Sequence, residues 1–212
     1  MILNIACYFG IRDERARQLA DFLLSVQMAD WGWNCEYYHG ARKSSLHTTI
    51  SILEGISRFL GLGDRYRNRK LEVARSKGIE FILKHELYKT STTGEVIKDE
   101  FLKFCFPVRW KYDICRCLDF FQGERIDYDP RMGDALSLVA ASLGRKGSVG
   151  AYSQPGKVYP EVKKLMDGRK WNTLRALRVE KRYRANIAWK RMFFAFSHTG
   201  PGPVLPHTKI SI

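Results

Sequence analysis

The chain has 212 residues, 45% of them hydrophobic and 27% charged, which excludes wholesale disorder and suffices for one domain with a sizeable core. No uncharged apolar run reaches the roughly 18 residues of a membrane-spanning helix, and the apolar start Met1–Gly10 lacks the basic flank and small-residue cleavage site of a signal peptide. A formal net charge of +14 favours anionic partners, while five cysteines without a secretory signal read as reduced thiols in a cytoplasmic protein.

Helical periodicity runs through the chain. Asp13 is a helix cap, followed by an apolar face of Ala16, Leu19, Ala20, Leu23 and Leu24 that should stop before Asp30-Trp31-Gly32-Trp33. A polar loop leads to Ser44, read as the next N-cap, and to the stripe Leu46, Ile50, Leu53 and Ile56, closed by Gly61 and Gly63. Leu71, Ala74, Ile79, Ile82 and Leu83 predict a third helix, with Gly78 a weak point inside it. A turn-rich stretch, Ser91-Thr92-Thr93-Gly94, and a short helical turn over 99–104 come before Pro107.

The clearest stripe is Trp110, Ile114, Cys117, Leu118 and Phe121. Asp129-Pro130 then starts a helix carrying Met132, Ala135, Leu136, Val139 and Leu143. A Gly-rich loop crosses 144–156. A last helix, with Leu174 and Leu177 within it, is expected from Trp171 to about Tyr183. The prolines at 201, 203 and 206 mark an irregular tail, so the chain divides into a helical domain over 1–183 and a divergent tail over 184–212. Successive helices joined by loops form a helical array. A faint repeat accompanies them: Gln27 to His85 is 58 residues, and 58 more reach Leu143.

Local sequences are more specific than the periodicity. The run Leu23-Leu24-Ser25-Val26-Gln27-Met28-Ala29-Asp30-Trp31-Gly32-Trp33-Asn34-Cys35 resembles the repeat element of squalene cyclases and protein prenyltransferases, in which a helix-end Gln and a following Trp tie adjacent helices together. Trp31 stands where that pattern has glycine. The segments 44–49, 93–97, 106–113 and 171–177 are similar to a bacterial branch of the same toroid proteins, over residues 1 to 183. The resemblance implies an all-α fold, an αα-hairpin array forming a partial (α/α) toroid. Further helices before the position of Met1 are usual in that group, so an open edge available for self-association is expected.

The resemblance also implies a pocket for an isoprenoid or other apolar ligand with an anionic head. Arg109, Asp113 and Arg116, at i, i+4 and i+7, read as one stripe able to hold a diphosphate or carboxylate through guanidinium forks; the competing reading is a surface ion-pair ladder. His47, at a helix start, and Asp113 are the candidate acid–base groups, with Arg109, Tyr112, Arg116, Trp33 and Trp110 as substrate contacts. A noncatalytic scaffold for a protein partner is the alternative. Asp30, Cys35, His39 and His47 are metal-ligand types, yet the Asp-x-Cys pair of the zinc-dependent prenyltransferases is missing, and no metal or other cofactor is expected. Neither an Asp-x-Asp-Asp acid nor an Asp-Asp-x-x-Asp magnesium motif occurs; Asp127-Tyr128-Asp129-Pro130 reads as a cap. Basic residues are dispersed, concentrating only at 65–70 and 181–191, which argues against nucleic acid and leaves peripheral contact with an anionic membrane open.

Overall fold

The computed structural model describes residues 1–63, 65–144, 149–152 and 167–197, with side chains through Ile187. Among these residues there are seven α-helices: α1 Ile2–Tyr8, α2 Glu14–Ser25, α3 Leu46–Gly61, α4 Asn68–Lys84, α5 Ile114–Gly123, α6 Gly133–Ser142 and α7 Gly168–Ser197. Short 3₁₀ turns lie at Cys35–His39, Asp99–Leu102 and Pro130–Met132. Among the described residues there is no strand, only isolated bridges pairing Lys89 with Val96 and Cys105 with Tyr152. The protein is therefore all-α.

Residue chemistry explains where the helices begin. The Asp13 carboxylate accepts the backbone N–H of Arg15 at the head of α2, and the Asp129 carboxylate accepts that of Arg131 beside Pro130. Ser44 is not the cap of α3. That position is Ser45, while Ser44 is bonded to the carboxylate of Asp30 across the loop. The α3 stripe Leu46, Ile50, Leu53 and Ile56 is buried throughout, and so is the α6 set Ala135, Leu136 and Val139.

α1 packs on α3, and α3 on α4. α5 and α6 both pack on α7. α1 was not foreseen as a helix. It approaches α3 closely at Gly55, where a Cβ would stand 3.3 Å from the Asn4 nitrogen. Gly78 has a similar role rather than being a weak point: a Cβ there would meet the Trp33 ring at 2.6 Å and Leu53 at 2.9 Å. Glycine lets the edge of the ring approach the α4 backbone.

The last helix also departs from expectation. It continues past Tyr183 to Ser197, with non-helical dihedrals at Tyr183, and Ile187 is buried in the core. Residues 184–197 are thus helical rather than irregular, beyond a break in the helix at Tyr183. The proline tail and most of the Gly-rich loop lie outside the described residues. Within α7 the core face is Asn172, Ala176, Val179 and Tyr183, whereas Leu174 and Leu177 face outward.

Candidate functional site

The loop between α2 and α3 is built on Gln27 and Trp33. The Gln27 amide donates to the carbonyl of Trp31 at 2.8 Å and to that of Ala74 on α4 at 2.9 Å. The Trp33 indole N–H donates to the Leu23 carbonyl, an orphan acceptor near the end of α2, at 2.8 Å. The Thr49 hydroxyl accepts the Trp33 backbone N–H at 3.0 Å. One glutamine and one tryptophan thereby fasten α2, α3 and α4 together. Trp31 takes a left-handed backbone, φ +81°, at the place where glycine would be unstrained, and the Lys84 ammonium lies over its ring at 3.5 Å.

The segment 106–116 differs from the helical stripe read from its spacing. α5 begins only at Ile114. Arg109 sits in the preceding turn with φ +47°, and Asp113 is the N-cap, so the three charged residues share no helical face. Asp113 is fully buried; its carboxylate accepts the N–H of Arg116 at 2.7 Å and that of Cys105 at 3.2 Å. Burial pushes its pKa up, partly offset by the nearby Arg175. It organises the helix start and has no access to a substrate.

Arg116 is likewise committed. Its guanidinium forms a fork with Glu54 of α3 at 2.8 and 2.7 Å, donates to the Lys111 carbonyl at 2.6 Å and reaches the Ser51 hydroxyl at 3.2 Å. Neither the ligand fork nor the exposed ladder describes it: Arg116 clamps α5 to α3. Tyr112 is buried, its hydroxyl donating to the Leu87 carbonyl at 2.5 Å, with burial holding its pKa well above the ordinary phenol value. Burial pushes the Cys115 and Cys117 thiols up to about 12, which keeps them protonated. Among the described residues no group of three metal-ligating side chains converges.

Three candidate residues do meet. Trp33, His47 and Trp110 line a cleft of about 520 Å³ between α1, α2 and α3. Its walls are apolar: Ile2 and Leu3 from α1, Leu19, Phe22, Leu23 and Val26 from α2, and Ile52 from α3. Polar groups gather where α3 begins, at Asn34, Ser45, His47 and Thr48, and the described lining includes no Asp, Glu, Lys or Arg. The sequence stripe of α2 did not announce this division of labour. Its small residues, Ala16 and Ala20, are the fully buried ones, leaving Leu19, Phe22 and Leu23 for the cleft. That alternation of sizes within one stripe is the signal that was available.

His47 is the chemically distinctive residue of the cleft. Its ring lies between Phe101 and Trp110, both centroids 5.2 Å away, and its Nδ1 accepts the backbone N–H of Tyr112 at 2.8 Å. An N–H donor on Nδ1 fixes the neutral tautomer with its proton on Nε2. Burial lowers the pKa to about 4, with further repulsion from Lys98 and Lys111. Lys111 itself bonds Glu100 at 3.2 Å and lies 4.9 Å from the Trp110 ring centroid.

A second cleft of about 650 Å³ lies on the other side of α1 and α3 and is charged: Glu54, Arg58, Arg116, Asp119, Glu124 and Arg175 line it. Comparison with known proteins adds no relative: no protein-family model, no curated protein and no solved structure matches the chain.

Proposed function

We propose that this protein binds one apolar ligand, an isoprenoid or a similar long hydrocarbon chain with an anionic head, in the cleft between α1, α2 and α3. The observation that carries the reading is the cleft itself: apolar walls of ligand-sized volume with polar groups collected at one end. The tail lies along Leu19, Leu23 and Ile52, and the head lies at the His47 end, where Nε2–H is a donor and Lys98 supplies positive potential. The reading is one of binding. Asp113, Tyr112 and Arg116 hold the structure together, and no reaction is assigned to them.

The finer arrangement we propose is an incomplete αα-toroid like that of the terpenoid cyclases and protein prenyltransferases. Its support is the Gln27–Trp33 fastening, which does in this chain what the resembling repeat element does in that group.

Titration calorimetry with farnesyl diphosphate, palmitate and farnesol tests the ligand. Wild type is expected to bind the two anions in the micromolar range and farnesol about tenfold more weakly, one charge-assisted hydrogen bond being worth roughly that factor. Ile52→Glu, which sets a carboxylate in the apolar wall, should abolish all three. Absence of binding by every probe, or binding indifferent to Ile52→Glu, refutes the proposal.

A further inference from the structure

The solvent face of α7 has an unusual makeup. Between positions 168 and 187 the exposed residues are Arg169, Lys170, Trp171, Leu174, Leu177, Arg178, Lys181, Arg182, Arg184 and Ala185. Six are cationic, four are apolar and none is acidic. α4, another long surface helix, is ordinary by contrast: Glu72 and Ser76 stand among its exposed Lys and Arg residues.

Trp171, Leu174 and Leu177 are 48%, 46% and 44% exposed, too much surface for side chains that pack a core. At 100° per residue they fall within one sector of about 120°, opposite the buried Asn172, Ala176, Val179 and Tyr183. Lys170, Arg178 and Lys181 lie in that same sector. Four of the six cations have acidic neighbours, Asp167 for Lys170, Asp119 for Arg178, Asp127 for Arg182 and Glu180 for Arg184, yet these four remain 85%, 49%, 39% and 72% exposed. Trp171 is held in place from behind by Phe106, whose ring stacks on it at 5.9 Å with the planes 7° apart.

We infer that this face of α7 docks the protein on an anionic lipid surface. Three large apolar side chains interleaved with cations on long aliphatic stems match the interfacial zone of a bilayer, where Trp and Leu enter the headgroup–acyl boundary and Lys and Arg reach phosphates. A nucleic acid would engage the cations and gain nothing from Leu174 and Leu177. The inference does not depend on the α1–α3 cleft.

The test is flotation of the full-length chain with vesicles of phosphatidylcholine alone or of phosphatidylcholine mixed with phosphatidylglycerol. Wild type should float with the mixed vesicles and not with the neutral ones, with binding that weakens as salt is raised. Replacing Lys170, Arg178 and Lys181 by Gln should weaken it about a hundredfold, at roughly fivefold per charge. Replacing Trp171, Leu174 and Leu177 by Ser should weaken it at least tenfold. Circular dichroism on each variant, and the single change Leu177→Lys, separate lost docking from lost folding. Undiminished flotation of the Ser variant overturns the inference, as does a duplex oligonucleotide that binds wild type and Ser variant alike and strips both from vesicles.

Discussion

Two clefts flank the same pair of helices, and they differ in everything except size. On one side of α1 and α3, residues such as Leu3, Ile52 and Gly55 bound an apolar space of about 520 Å³; on the other, Asn4, Glu54 and Arg58 bound a charged one of about 650 Å³. The charged groove is the more eye-catching, but its two glutamates are already answered. Arg116 forks onto Glu54, and Arg75 bonds Glu124 at 2.8 Å. Paired charges recruit little from solution, because a ligand would have to displace a partner already in place. The apolar cleft has no such internal answer. Its walls gain by covering hydrocarbon, at about 25 cal/mol per Å². Charge in a groove is thus a poor guide to a ligand unless the charge is unspent.

The largest effect should come from the wall that the apolar cleft shares with the core. Trp33 is 1% exposed, bonded through its indole to Leu23 and seated against Gly78. Trp33→Ala should cost about 3–5 kcal/mol, the range for removing a buried aromatic ring. Chemical denaturation measures it directly. A loss below about 1 kcal/mol would mean that the ring merely lids the cleft and that cleft and core are separable.

The charged groove should respond in a different manner. Arg116→Met leaves Glu54 in a partly buried place without its fork, and a loss of about 2–4 kcal/mol is expected. Glu54→Leu alone should cost somewhat less, since Arg116 retains the Lys111 carbonyl. Joining the two changes should recover most of the loss, because a matched apolar pair no longer has a charge to desolvate. Strictly additive losses in this double-mutant cycle would show that the two side chains act independently, and the picture of a self-satisfied groove would fail.

How far the sequence foretold these regions follows from the range of the forces involved. The stripe of α3 and the Asp13 and Asp129 caps were legible because cap and periodicity are local properties. The Gln27–Trp33 fastening was legible through its resemblance to a repeat element, but only half of its expected logic holds: the indole reaches a carbonyl at the end of α2, whereas the amide bonds a loop carbonyl and Ala74 in the middle of α4. The 106–116 segment misled because i, i+4, i+7 spacing has meaning only inside a helix. Asp113 ends the loop by capping, which places Arg109 outside the helix and turns Arg116 toward Glu54. That partner is 62 residues distant in the chain, and no local pattern announces it. Gly78 was misjudged for the same reason: its cost to α4 is local, whereas the tryptophan it admits arrives from another element. The charged groove and α7's apolar outer face depend on which helix packs where, knowledge that periodicity does not contain.

The smallest effect concerns the one imidazole of the apolar cleft. His47 has its pKa lowered from 6.5 to about 4, first by burial and then by Lys98 and Lys111. The unfolded chain therefore takes up a proton that the folded chain refuses as pH falls below 6.5. Stability from neutral His47 is fully present above that value and is lost progressively from 6.5 toward 4, on the order of 1–2 kcal/mol once solvent screening is allowed for. His47→Phe should flatten this part of the stability–pH curve while giving up the Tyr112 N–H bond at every pH. An anionic head lying beside His47 would raise the pKa, so binding of palmitate at pH 5.5 should draw protons from the buffer. Calorimetry in two buffers of different ionisation enthalpy detects that uptake, and His47→Phe should remove it. If palmitate binds with no proton uptake in the wild type, its head lies elsewhere, and the polar end of the cleft has been assigned the wrong way round.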